Sequence, residues 1–411
     1  MDRSPIPLWR QPSFRRFWLA RVLLTAGYQI ASVAIGWQMY ALTASAFDLG
    51  LIGLLQFVPR AVLMLPAGTI ADRVDRRAIA AASMALQALV ALALLAASAH
   101  AWGLQPSRAL LLAAAVAIGA ARAFDTPALQ ALLPTLVPGA QQAQAVALSS
   151  SSTQTAIIVA PALGGFAYAL GAGWTYALNA AADAVGVAML LGLGALPAIR
   201  QRAPLTLHAM LDGVRYIRSE RDVLGAISLD LFAVLLGGAT ALLPIYARDI
   251  LLRGPWALGL LRAAPALGAL ATAAWLGHHP LRRRAGRVMF AAVAVFGLAT
   301  LVFAFSRSLP LSLGALVVLG AADNISVVIR GTLVQLQTPE ALRGRVNAVN
   351  SLFIGASNQL GEFESGFTAA WFGAVGATAL GGIGTLLVVV VWMRAFPSLL
   401  RRDALLRDGG G

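Results

Sequence analysis

Ten charged residues interrupt stretches that otherwise read as membrane-spanning helices: Arg21, Arg60, Arg122, Asp125, Asp183, Asp230, Arg262, Asp323, Glu362 and Glu364. Placing one such charge at the centre of a bilayer costs about 2.5–3.5 kcal/mol on insertion scales, so it faces a water-filled path or a partner within the bundle. A carboxyl group in low dielectric holds its proton more readily than in water, which is the property a proton-coupled carrier needs. Arg122 and Asp125 are three residues apart, share one helix face and can pair. Glu362 and Glu364, two apart, point in different directions, so at most one of them serves as a proton site, with Glu362 preferred.

The elements that position these residues must be helices in a membrane. The chain has 411 residues, 59% hydrophobic and 12% charged, with mean hydropathy +0.77. A soluble domain carries roughly 25% charged residues, so this chain cannot cover a globular surface of its size and reads as integral to a membrane. The apolar runs are helical in length, not ten-residue alternating segments, which disfavours a β-barrel. There is no Cys, and His100, His208, His278 and His279 form no ligand set, so neither a metal site nor a cofactor is expected. No phosphate-binding loop of the Gly-x-x-x-x-Gly-Lys-[Ser/Thr] type occurs, nor a Ser/His/Asp arrangement at one depth, and catalysis is not expected.

Twelve spans follow, each long enough for about 30 Å of hydrocarbon: 17–42, 49–71, 78–98, 109–134, 142–170 and 173–197, then 223–247, 256–277, 287–306, 310–337, 346–372 and 374–396. Arg21, Tyr28, Gln29 and Gln38 polarise the first span, Asp230 the seventh, and Asp323, Asn324 and Arg330 the tenth. With the N-terminus inside, 22 Arg fall in cytoplasmic segments and four (Arg108, Arg248, Arg253 and Arg307) on the other side. The positive-inside rule then places both termini in the cytoplasm. The formal charge of +14 is thereby assigned to short loops and not to nucleic-acid binding. Met1–Arg16 shows no cleavable signal pattern.

The expected organisation is a six-helix bundle over 1–197, a polar connection over 198–222, and a second six-helix bundle with its tail over 223–411. In the connection Met210, Val214 and Ile217 fall at helical spacing opposite Arg215, Arg218 and Arg221, which suits either an amphipathic helix at the cytoplasmic interface or a simple linker. The halves look like copies. At an offset of 201, Gly119-Ala120-Ala121 matches Gly320-Ala321-Ala322, Pro138 matches Pro339 and Gly165-Phe166 matches Gly366-Phe367. Two six-span repeats in parallel relation imply a substrate path at their interface. In this register Asp323 takes the place of Arg122, reversing its sign, and Glu362 takes that of Pro161.

After the second span the chain reads Gly68-Thr-Ile-Ala-Asp72-Arg73-Val-Asp-Arg76-Arg77. Gly68 suits close helix packing. The charges form either a cluster that opens and closes with a two-state gate or ordinary positive-inside anchors. Such a loop in a six-plus-six chain resembles the signature loop of the major facilitator superfamily. Gly119 through Pro138, Ala160-Pro161-Ala-Leu-Gly164-Gly165, and Thr338-Pro339-Glu340-Ala-Leu-Arg343-Gly344-Arg345-Val-Asn347 resemble its bacterial exporters of the enterobactin and drug efflux group. Asp75 departs from the family's more frequent Gly, and the second-half copy of the loop, around His278–Arg287, lacks the acidic residue.

The resemblance implies an all-α fold of twelve transmembrane helices in two pseudo-repeats, with helices one, four, seven and ten around a central cavity. That makes Asp125, Arg122, Glu362, Glu364, Asp323, Arg330, Arg21 and Gln29 the candidates for the proton or substrate pathway, and Gly68, Asp72, Arg73, Arg76 and Arg77 the cytoplasmic gating motif. Static ion pairs remain the competing account of the charges. Asp183 lies on a helix that packs outside the bundle in such proteins and reads as structural. Ser149–Ser152 and Thr153 of the fifth span can back-bond to their own helix, join a neighbour or meet a ligand. The implied function is proton-driven export of an amphipathic small molecule, a siderophore or a drug, by a monomer in the bacterial inner membrane and in contact with its lipid. Uptake of a nutrient or metabolite and lipid flipping are the alternatives the same fold supports.

Overall fold

The structure is a computed structural model that describes residues 7–98, 106–194, 207–279 and 284–402. Helices α1 (Pro12–Thr43), α2 (Ala46–Arg73), α3 (Arg76–Ala97), α4 (Arg108–Leu136), α5 (Gln142–Leu170) and α6 (Ala172–Leu191) make up the first half. After α7 (Leu207–Ser219) come α8 (Arg221–Leu236), the single turn α9 (Leu243–Ile245), α10 (Pro255–His278), α11 (Ala285–Phe305), α12 (Leu309–Gln337), α13 (Glu340–Ala395) and the short α14 (Pro397–Leu400). No strand occurs among the described residues.

Eleven of these segments are long and apolar enough to cross a membrane. The last runs over Leu342–Ala395, 54 residues, which at 1.5 Å per residue is over twice the hydrocarbon thickness. Its helix is broken at Gly373, where φ is +70° and ψ 167°, a backbone that glycine adopts without the penalty of a Cβ. Gly373 thus divides it into two helices. The outer faces carry exposed Leu89, Leu298 and Leu387, as lipid solvation permits.

Helix boundaries have local causes. Asp75 caps α3 by accepting the Arg77 backbone N–H at 2.9 Å, and Ser107 caps α4 by accepting that of Leu110 at 3.1 Å. The seventh span departs from the unbroken helix expected over 223–247. It stops at Leu236, passes through a 3-10 turn over Ala239–Leu242 and a short α turn, and continues as a π-helix over Tyr246–Ile250. Gly237, Gly238 and Pro244 account for the break, since two residues lack a side chain and one lacks an N–H.

The chain folds into two compact units. The first comprises Met1–Gln38 and Val58–Pro204, the second Met39–Phe57 and Leu205–Gly411. In the first, α3 packs on α4 and α6, around a core that includes Phe14, Phe17, Met84 and Leu132. In the second, α12 packs on α10 and α11, and α13 on α8 and α11. The α10–α12 contact is backbone to backbone: a Cβ on Gly268 or Gly320 would overlap the carbonyl oxygen of Val317 or Pro265.

Helix α7 is packed onto the second unit. Ile217 is buried, with Val214 and Tyr216 against the same core. The Tyr216 hydroxyl donates to the Gln337 carbonyl at 2.5 Å and Arg345 pairs with Asp212 at 3.0 Å. Arg215, Arg218 and Arg221 stay exposed.

Candidate functional site

In the first unit the expected pairing of Arg122 with Asp125 does not occur. The Arg122 guanidinium lies over the Tyr28 ring, 3.6 Å from its centroid. Asp125 is buried and accepts from Gln87 Nε2 at 3.2 Å and Thr126 Oγ1 at 2.9 Å. Sharing a face at i, i+3 keeps the two within electrostatic reach, but the guanidinium stacks on the aromatic face of α1 and the carboxylate accepts from the amide of α3. Gln87 was missed by sequence reasoning. Its signal was a second polar residue one turn after Ser83 in an otherwise apolar α3. Arg60 stands within electrostatic reach of Arg122, Tyr28 and Asp125. Arg21 is half-buried a little under two turns before Tyr28. Gln29 is turned away, its Nε2 donating to the Ile157 carbonyl at 3.4 Å.

Asp183 accepts from Asn179 at 3.1 Å and its other oxygen is packed against Gly27, where a Cβ would fall 2.7 Å away. Part of the hydroxyl run of α5 is taken up locally, while Ser149 Oγ is buried without a hydrogen-bond partner among the described residues. Ser152 donates to the Leu148 carbonyl and accepts from Trp18 Nε1 at 2.6 Å, and Thr153 and Thr155 bond back one turn.

In the second unit Arg330 of α12 forms an ion pair with Asp230 of α8, both buried. Asp230, Asp323 and Ser326 line a small cavity with Ala233, Val234, Val293 and Phe296. Its free volume of about 10 Å³ has room for roughly one water. Asn324, beside Asp323, instead bonds Thr272 at 3.1 Å.

The two glutamates of α13 diverge. Glu364 accepts from Thr368 one turn on, at 2.7 Å. Glu362 accepts from Thr240 at 3.4 Å and lies within electrostatic reach of Arg262. Glycines hold it there. A Cβ on Gly238 would fall 2.7 Å from the Gly361 backbone, and one on Gly53 2.8 Å from Glu362 Oε2. The start of α2 crosses α13 at Gly50 and Gly366, where a Cβ on Gly366 would meet Gly50 Cα at 2.6 Å. Nearby, Tyr40 bonds Asp249, and Arg248 donates to the Tyr40 carbonyl at 3.2 Å. None of these glycine contacts was singled out from the sequence.

Of the loop motif, Arg76 donates to the Ala131 carbonyl at 3.5 Å, and Arg77 to that of Leu193 while pairing with Asp75 at 3.2 Å. The side chains of Asp72 and Arg73 lie outside the described residues. A Cβ on Gly68 would meet no described atom within 4 Å, so the close packing expected there is absent among the described residues. Asp75, read as a departure, turns out to cap the helix and hold Arg77.

These are helix bundles carrying buried charges, and comparison with known proteins places them. The profile of the transmembrane secretion effector family matches residues 3–404. The chain belongs to this family, within the major facilitator superfamily. Among curated relatives, the enterobactin exporter EntS of Citrobacter koseri is 27% identical over 380 residues, covering 92% of this chain and 87% of that one. Among solved structures, the nucleoside transporter NupG superposes with TM-score 0.71 at 15% identity, over 93% of this chain and 99% of that one. A bacterial homologue of the lysosomal transporter Spinster, inward-facing and unoccupied, gives 0.70 at 14% identity, over 95% and 97%. The structural likenesses establish the fold alone. This family member is a multi-pass membrane transporter, and the proteins it resembles are transporters rather than enzymes.

Proposed function

We propose that this transporter exports an amphipathic small molecule, an enterobactin-like siderophore or a drug, across the bacterial inner membrane by alternating access as a proton antiporter. Likeness to an enterobactin exporter over nearly the whole chain carries this reading. Protonation of Asp125 or Glu362 favours one access state, and cargo is exchanged for the proton. The cluster spanning Asp72 to Arg77 latches the cytoplasmic side in one state. On the opposite side the glycine crossing of α2 on α13 and the Tyr40–Asp249 bond serve as the seal. The protein works as a monomer with both termini in the cytoplasm.

The test compares metabolites secreted by a deletion strain and its parent under iron limitation. A siderophore that leaves the medium and builds up in the cells establishes export. Unchanged secretion of siderophores and unchanged drug susceptibility in the same pair of strains refute it. Accumulation in everted rather than right-side-out vesicles separates export from uptake.

A further inference from the structure

Arg60 and Arg122 each occupy the middle of a helix, Arg60 in the 28 residues of α2 and Arg122 in the 29 of α4. Tyr28 is likewise central in the 32 residues of α1. All three therefore lie at a similar level along the helices of the first unit. Both guanidiniums are half-buried, and neither forms an ion pair with a described residue. The carboxylate within reach is Asp125, whose two oxygens already accept from Gln87 and Thr126. Arg60 and Arg122 thus repel each other across one shared carboxylate, with Asp183 standing behind it within reach of Asp125, in a setting where a poorly compensated charge is costly. Stacking on Tyr28 spends one face of the Arg122 guanidinium and leaves its N–H edge to point elsewhere. A guanidinium edge is shaped to take a planar oxyanion through two parallel hydrogen bonds.

We infer that Arg60, Arg122 and Tyr28 form a subsite for an organic monoanion, an aromatic or otherwise apolar molecule bearing one carboxylate-like group. This deepens the export reading, and rests on it, by naming the cargo's chemical class. One added negative charge relieves the repulsion between the two guanidiniums, which hold it, and the apolar helix faces around them take the rest of the molecule. Asp125 competes with the cargo for the same cations, so it sets how tightly the anion is held.

The probes are 2-naphthoate and its uncharged isostere 2-naphthamide, titrated calorimetrically into the full-length protein in phosphatidylcholine nanodiscs. Naphthoate binds, and naphthamide binds about tenfold more weakly or worse. Arg60→Gln and Arg122→Gln each bring naphthoate to the level of the amide, Arg122→Lys recovers part of the loss, and Asp125→Asn tightens it. Monodisperse elution of each variant separates lost binding from lost folding, and the Lys variant carries the test if Gln fails to fold. Equal affinity for the two probes, no naphthoate binding at millimolar concentration, or unchanged binding in both Gln variants overturns the subsite. Loss of naphthoate binding in phosphatidylglycerol nanodiscs would make a lipid headgroup the occupant and overturn its assignment to cargo. The secretion comparison uses neither probe, so export and the subsite fail separately.

Discussion

Breaking the Asp230–Arg330 pair should be the most damaging charge change in the second unit. Asp230 is 6% exposed and Arg330 2%, so removing either leaves the other charged and buried. Such a loss costs about 3–5 kcal/mol, whereas neutralising both partners together is often close to neutral. For a unit of just over two hundred residues, about 2–4 °C per kcal/mol puts each single variant roughly 6–20 °C below the parent. The two are not equivalent. Arg330→Gln leaves Asp230 facing Asp323 across the same cavity, two carboxylates without their cation. Asp230→Asn leaves Arg330 with Asp323 still on its helix. Arg330→Gln should therefore fall further, and Asp230→Asn/Arg330→Gln should recover most of the loss. The assay is thermal unfolding of purified protein in one detergent at one scan rate, because heating such proteins reports a rate as well as an equilibrium. Single variants within about 1 °C of the parent, or a double variant as unstable as the two losses added, would refute the claim that the pair compensates itself.

Three further outcomes are expected. Gly366→Ala forces the start of α2 off α13 at an overpacking cost of about 1–3 kcal/mol. A single cysteine at Ala46, in a chain with none of its own, should then react faster with maleimide. Glu362→Gln should flatten the dependence of export on pH in everted vesicles and Asp125→Asn should not; the reverse would make Asp125 the proton site. Tyr216→Phe should cost about 1 kcal/mol by deleting the bond to Gln337. Burial and then Glu220 push the Tyr216 phenol above its usual value, so the folded state holds that proton more tightly than the unfolded one. Its stabilisation is complete below the unfolded phenol's pKa of about 10 and is lost as pH rises beyond it, and the difference in melting temperature should narrow there.

Span lengths were legible because lipid imposes a length and an apolar composition on every crossing. Even the boundary between the last two spans falls where a glycine takes a left-handed backbone, at Gly373. Partners were less legible. The pattern Val214, Ile217 with Arg215, Arg218 is the same whether the apolar face meets lipid or protein, and only the structure shows it against Val346 and Val349. The break after Leu236 was written in Gly237-Gly238, yet hydropathy alone runs straight through it. The crossing of Gly50 on Gly366 joins residues over three hundred positions apart, and glycine is too common here for its spacing to single out two of forty. Arg122 and Asp125 illustrate the limit: helical spacing says what is near, and competing donors and acceptors decide what is bonded.

The repeat preserves helices and glycines while its buried charges are rearranged. Across the register, Arg122 becomes Asp323, Asp125 becomes Ser326 and Pro161 becomes Glu362. The spans of the first half carry Arg21, Arg60 and Arg122 against Asp125 and Asp183. Those of the second carry Asp230, Asp323, Glu362 and Glu364 against Arg262 and Arg330. A cation-rich unit suits an anionic cargo and an acid-rich unit suits protons. Exchange also requires that the proton disfavour the cargo, and by reciprocity that the cargo disfavour the proton. Protonating Asp125 would do the opposite, freeing Arg60 and Arg122 for the anion. Under the proposed antiport, the driving carboxylate therefore belongs in the second unit. Glu362, placed against Gly53 at the proposed seal and next to the broken seventh span, is where adding a proton would change a helix contact without strengthening the hold on cargo.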